Sequence, residues 1–132
     1  NKLNIDINVY REEYLKIEIE IFPLKYNNKK KFYRFINLYD NNIYSYVHIY
    51  FNDEKEETKK SYIYKDDKVN KIKIIIDSNI KHLSGLFSGC YCIEKINFLK
   101  FNRKDIEKMS CIFSECYLLK EINFYKFNTD NV

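Results

Sequence analysis

The sequence predicts an α/β chain: a short solenoid of helix–strand units whose strands lie side by side as a parallel sheet, preceded by an antiparallel β-rich cap. Three observations carry this expectation. Lys81–Ile106 is followed in frame and without a gap by Glu107–Val132, so the last part of the chain states one 26-residue unit twice. Within each unit the apolar spacing changes from helical to alternating. Residues 1–70 instead hold several runs of strict period-two alternation, the pattern of half-buried strands.

In the cap, Leu3, Ile5, Ile7 and Val9 alternate with polar residues, and Ile17, Ile19 and Ile21 do so again. The pair predicts an antiparallel hairpin turning near Arg11–Glu13. Pro23 ends or edges the second strand, because it has no N–H for a ladder. Asn27–Lys31 is a polar loop, and Phe32–Tyr39 is aromatic-rich without a clear period. Asp40-Asn41-Asn42 signals a turn. Ile43–Phe51 alternates again, Asp53–Lys60 is a charged loop, Ser61–Tyr64 is expected to pair back as a strand, and Ile72, Ile74 and Ile76 mark another.

In the repeat, Ile80, Leu83, Leu86, Phe87, Cys90 and Ile93 fall on one face of an expected helix, and Met109, Ile112, Phe113, Cys116 and Leu119 copy them. Period two then takes over at Ile96 and Phe98, and at Ile122 and Phe124. Phe87-Ser88-Gly89-Cys90-Tyr91 returns as Phe113-Ser114-Glu115-Cys116-Tyr117, and Lys100-Phe101-Asn102 as Lys126-Phe127-Asn128. A fixed period of this length is the mark of units that bury their apolar face only by stacking on one another.

The run Phe-x-x-Cys-x-x-Leu/Ile, then x-x-Ile-x-Phe-x-x-Phe-Asn, closing on Asn-Val, resembles the BspA-like leucine-rich repeats of bacterial and protist surface proteins. The resemblance covers residues 80–132, and Lys71–Ile80 is similar to the strand that precedes a first full repeat. Leu86 and Ile112 stand where that family favours Met, and Ile and Phe replace its strand Leu. The resemblance implies a leucine-rich-repeat region at 71–132 (lead-in 71–80, repeats 81–106 and 107–132) behind a capping region at 1–70. It also implies a role in adhesion or protein interaction and a cell-surface or secreted location. The chain opens on Asn1 and ends on the last position of a unit, so it is expected to be a fragment followed by more repeats. Two units are fewer than the three or so a solenoid needs, and the isolated chain is therefore expected to be marginal or to self-associate.

Composition narrows the function classes. Lys, Asn, Ile, Tyr and Phe crowd the chain while Gly and Pro number 2 and 1, a bias that AT-rich codons produce. The net charge of +4 divides evenly, +2 on residues 1–79 and +2 on 80–132, so the sequence shows no basic domain. No apolar run approaches the roughly 18 residues of a membrane helix. No signal peptide is visible, although a trimmed start would have removed one, and there is no Asn-x-Ser/Thr sequon. His48 and His82 are the only histidines, and neither sits in a nucleophile or acid–base motif. Gly85 and Gly89 fall inside the expected helix instead of a phosphate loop, and Glu56-Glu57 and Asp66-Asp67 read as solvated turns. Cys90 and Cys116 occupy equivalent apolar positions and are expected to stack as small hydrophobes, with a disulfide conceivable but not needed. Cys92 and Cys111 complete a poor zinc spacing. The expectation is a non-enzymatic module without metal or cofactor.

The expected docking surface is the outward face of the parallel strands. With Ile96 and Phe98 inward, alternation turns Lys95, Asn97 and Leu99 outward, and Glu121, Asn123 and Tyr125 beside them. Lys95 then faces Glu121, and Asn97 faces Asn123. Leu99 and Tyr125 have the least structural reason to be outside. Two alternatives are an anion or nucleic-acid site in the basic-aromatic cluster at 26–34 (Tyr26, Lys29, Lys30, Lys31, Phe32, Tyr33 and Arg34), and a purely structural cap of a longer solenoid.

Overall fold

The computed structural model describes residues 2–24, 30–38, 41–104 and 111–125, and for 2–6 and 41–42 the backbone alone. Along the chain run α1 (Lys2–Leu15), β1 (Ile17–Pro23), β2 (Phe32–Arg34), α2 (Asn41–Tyr44), β3 (Val47–Phe51), β4 (Tyr62–Tyr64), β5 (Ile72–Ile76), β6 (Ile93–Lys100) and β7 (Glu121–Phe124). Five strands form one mixed sheet in the order β3-β5-β1-β6-β7, while β2 and β4 form a small antiparallel sheet of their own. Only β6 and β7 are parallel.

The helix–strand solenoid expected from the sequence is therefore not the fold. The described chain is mostly β, and its one helix of any length, α1, lies outside the repeats. The turn segment of each unit is not helical because four residues adopt a left-handed backbone: Gly85 (φ 69°), Gly89 (φ 70°), Cys111 (φ 60°) and Glu115 (φ 59°). Cys111 and Glu115 stand one repeat beyond Gly85 and Gly89, so both units bend at the same two places. A right-handed helix cannot pass through such positions. The amides freed from a helical ladder bond sideways instead: Phe87 N donates to Ile112 O at 3.0 Å and Gly89 N to Ser114 O at 2.7 Å.

The first layer of this lateral ladder is supplied from the amino-terminal half. Asn37 N donates to Leu86 O at 2.8 Å, one repeat before the carbonyl that Phe87 N reaches. The Asn37 side chain then donates to Gly85 O (2.9 Å) and Ser88 O (2.7 Å). In the sheet the neighbour of β6 is β1, with Ile21 opposite Ile96 and Ile19 opposite Phe98. The segment at 71–80 does contain strand β5, but β1 separates it from β6.

Period two on these strands builds the core. One row runs Ile49, Ile74, Ile19, Phe98, Phe124 across all five strands, and a second runs Phe51, Ile72, Ile21, Ile96, Ile122. Ile17, Ile19 and Ile21 of β1 and Ile72, Ile74 and Ile76 of β5 are fully buried in one cluster with Phe35, Ile63, Leu83, Phe87 and Cys90. The repeats meet like on like: Phe87 stacks on Phe113 (6.0 Å), Phe98 on Phe124 (4.9 Å) and Tyr91 on Tyr117 (5.5 Å).

Two strand expectations in the cap are corrected. The hairpin of Leu3–Val9 with Ile17–Ile21 does not form; Lys2–Leu15 is helical, since both edges of β1 are taken by β5 and β6 and a helix satisfies its own backbone polar groups. Its last carbonyls are met by side chains, with Asn102 donating to Tyr14 O at 3.2 Å and the Lys100 ammonium to Glu13 O. The strand expected over Ile43–Phe51 begins only at Val47, after the single turn α2. Ser61–Tyr64 does pair as a strand, but with Phe32–Arg34.

Two substitutions test this arrangement. A Cβ on Gly89 would meet no atom within 4 Å, so Gly89→Ala isolates the left-handed backbone; it is expected to cost about 1 kcal/mol in equilibrium denaturation, and a neutral result would restore a helix at 84–89. Asn37→Ala removes the donor to two carbonyls and is expected to cost about 1–2 kcal/mol.

Candidate functional site

The outward face of the sheet is polar and ordered by pairs. Tyr50, Lys73, Glu20, Asn97 and Asn123 form one row across the five strands, and Phe22, Lys95 and Glu121 another. Lys95 lies 3.5 Å from Glu121, Lys73 3.6 Å from Glu18, and Lys71 2.6 Å from Asp53 and 4.0 Å from Glu20. Exposed pairs of this kind contribute little each, but they neutralise the face.

The six residues expected to carry binding fall into two groups. Lys95, Glu121, Asn97 and Asn123 stand in the expected register and are engaged with one another. Lys95 also lies over the Phe22 ring at 5.2 Å. Asn97 is only 5% exposed, because β1 brings Glu20 against it. Its amide donates to Glu20 Oε1 (3.2 Å), and its oxygen accepts from Asn123 Nδ2 (3.0 Å). Asn97 thus pins strand register and offers a partner nothing, a correction to its expected exposure. Leu99 is half-buried at an irregularity where Glu18 pairs with Lys100 and Ile19 with Phe98. Tyr125 is exposed, with its backbone N–H donating to Phe98 O at 2.9 Å.

The surface that strand parity alone does not reveal is the other side of β7. Ile122 and Phe124 continue the two core rows, yet they are 39% and 56% exposed, whereas Ile96 and Phe98 beside them are fully buried. Among the described residues β7 has one strand neighbour, β6, and its outer edge carries unshared backbone groups. Tyr117, 72% exposed, extends the apolar margin. Such an edge is a template for another strand. A second apolar area is the exposed side of α1, with Ile7, Val9 and Tyr10.

Cys90, Cys116 and His48 make contacts within the fold. All four cysteines are free thiols. Burial pushes the Cys90 thiol far up, away from reactivity, and also raises Cys116, whose Sγ donates to Phe87 O at 2.8 Å. Among the described residues no group of three or more His, Cys, Asp or Glu gathers as a metal site. His48, however, does meet carboxylates, at 2.8 Å from Asp77 Oδ2 and 3.1 Å from Glu57 Oε1. Glu57 was expected in a solvated turn; it is half-buried and also bonds Lys59 at 2.9 Å. The three members are distant in sequence, so no local motif announces them.

The basic-aromatic cluster is described from Lys30 onward, and Tyr26 and Lys29 lie outside the described residues. Lys30, Lys31, Phe32 and Arg34 line a cleft of about 570 Å³ together with Ser88, Gly89 and Tyr91 of the first repeat. No helix among the described residues is long and apolar enough to cross a membrane. No family model, curated protein or solved structure matches the chain.

The His48 cluster generates a pH dependence. Burial pushes the imidazole down, but the bonds to Asp77 and Glu57 outweigh it and hold its pKa above the ordinary 6.5. Burial likewise pushes Glu57 up, and its bonds to Lys59 and His48 outweigh that, leaving it below the ordinary 4.5. The stability from His48 is thus complete below about pH 6.5 and lost as pH rises through the higher folded value, while that from Glu57 is lost as pH falls through its lower one. Thermal melts are expected to lose a few degrees of Tm from pH 6 to pH 8, and His48→Gln is expected to abolish that loss.

Proposed function

We propose that this chain is a non-enzymatic protein-interaction module that accepts an extended strand of a protein partner on the free edge of β7. The observation that carries it is the exposure of Ile122 and Phe124: two core rows run to the last strand and stop uncovered. A partner strand would hydrogen-bond the open backbone edge and cover these side chains, the mode known as strand addition. Covering an apolar side chain of this size is worth on the order of 1.5–3 kcal/mol when complete, and uncovered apolar margins of this kind mark interaction sites. Leu99 and Tyr125 would contribute from the opposite side of the same two strands.

The resemblance of residues 80–132 to the BspA-like repeats supports the same class, adhesion or protein interaction at a cell surface, and belongs to this proposal. The like-on-like stacking of the two units supports it too, because it sets β7 in register with β6 and leaves its far edge outermost among the described strands.

The edge also makes the isolated chain its own first partner. Light scattering on wild type is expected to show mass rising with concentration, Ile122→Lys/Phe124→Lys to restore a monomer with an unchanged far-ultraviolet spectrum, and Leu99→Ala/Tyr125→Ala to weaken association several-fold. A wild-type chain that stays monomeric at millimolar concentration would remove the reading.

A further inference from the structure

We propose that the cleft between Phe32–Arg34 and Ser88–Cys92 is a binding site for a small ligand bearing two or more phosphate groups. It is separate from the β7 edge and does not depend on it.

The cleft differs in sign from two other clefts among the described residues. Among the described residues Lys30, Lys31 and Arg34 line it without a carboxylate, and none of the three is ion-paired. Two other clefts mix signs. The one beside β7 holds Lys95 and Lys120 with Glu94 and Glu121, paired at 3.5 and 3.8 Å, and the one near β3 holds Lys55 and Lys73 with Asp53 and Glu54. Three cations around about 570 Å³, facing no carboxylate among the described residues, raise a local positive field that a polyanion neutralises. Arg34 supplies the planar fork that binds phosphate through two parallel hydrogen bonds, and the lysines supply point charges.

The walls are fixed before any ligand arrives. Cys92 Sγ donates to Arg34 O at 3.5 Å, Asn37 Nδ2 to Ser88 O at 2.7 Å and Leu24 N to Cys92 O at 2.6 Å, tying the β2 side to the first repeat. Lys30 Nζ is held 4.6 Å from the centre of the Tyr91 ring, which positions the ammonium at the cleft. The repeat comparison adds a further mark. Gly89 lines the cleft, and the corresponding residue of the second unit is Glu115, with nearly the same backbone (φ 70° against 59°). The first unit thus lacks, at the cleft, the one carboxylate that its copy carries.

The geometry favours a small polyphosphate over a nucleic-acid strand. Tyr91 has Lys30 over its ring and Tyr117 stacked 5.5 Å away, so this ring is not free to stack a base, and the other exposed ring at the cleft, Phe32, is met edge-on by Tyr62 at 5.7 Å. The cations converge on one cleft instead of forming a stripe along the surface.

The test uses the whole chain with tripolyphosphate, ATP and a ten-residue oligothymidylate as probes, followed by amide shifts in NMR at low salt. Tripolyphosphate and ATP are expected to shift the amides of Arg34, Ser88 and Gly89 and to bind more weakly as salt rises. Lys31→Ala/Arg34→Ala is expected to weaken binding about tenfold or more, while Lys95→Ala/Lys120→Ala, which removes the same charge elsewhere, leaves it within about twofold. Gly89→Glu, a residue already accommodated at position 115, is expected to abolish binding with the fold intact. The proposal is overturned if tripolyphosphate does not bind at millimolar concentration, or if the two double variants weaken it equally. Unchanged binding in a folded Gly89→Glu chain, or binding of the oligonucleotide alone, would overturn it too.

Discussion

The position of β1 is the constraint on which the rest of the molecule depends. Ile17, Ile19 and Ile21 carry no exposed surface, and both edges of their strand are used, one by β5 and one by β6. A strand so placed joins two halves that differ in character: an antiparallel set with β3 and β5, and a repeat pair that is parallel. Its register decides where every apolar row falls, because a slip of one residue would turn the isoleucines to solvent and Glu18 and Glu20 into the core. The consequence reaches back to the start of the chain. With no edge of β1 vacant, the preceding residues cannot form its hairpin partner, and they coil into α1.

Much of this is legible in the sequence, and the illegible part has identifiable causes. Period two marked β1, β5, β6 and β7, and the 26-residue repeat set the neighbours of β7 residue by residue, Lys95 with Glu121 and Asn97 with Asn123. The helix expected at Ile80–Ile93 is absent because spacing of three between apolar residues suits a chain of tight turns as well as a helix. The discriminating signal was present: the only two glycines of the chain stand four apart inside that run, where a helix interior disfavours them. Their left-handed backbone is what Glu115 and Cys111 reproduce at some cost in the second unit. The polar clusters were less accessible, since His48 meets carboxylates nine and 29 residues away, and Asn37 meets a unit that begins beyond residue 80.

The candidate edge was hidden for a different reason. Alternation states which side of a strand is apolar, not whether anything covers it. Ile122 and Phe124 carry the same pattern as Ile96 and Phe98, and in both units the apolar side faces the same layer. What separates them is that, among the described residues, β6 lies between two strands and β7 beside one. Exposure there is a property of the stacking order, which only topology reveals.

Charge then divides the two proposed surfaces by the kind of partner each can take. On the outward face of the sheet, lysines oppose glutamates across neighbouring strands, and Asn97 and Asn123 satisfy each other. A face neutralised in this way exerts little long-range pull, so association at β7 must draw on apolar cover and backbone pairing, which act only on contact and tolerate salt. At the cleft the balance is reversed: among the described residues its cations face no carboxylate, and attraction extends over a Debye length before any contact forms. The two surfaces share the first repeat, which backs β7 through β6 and walls the cleft through Ser88, Gly89, Tyr91 and Cys92.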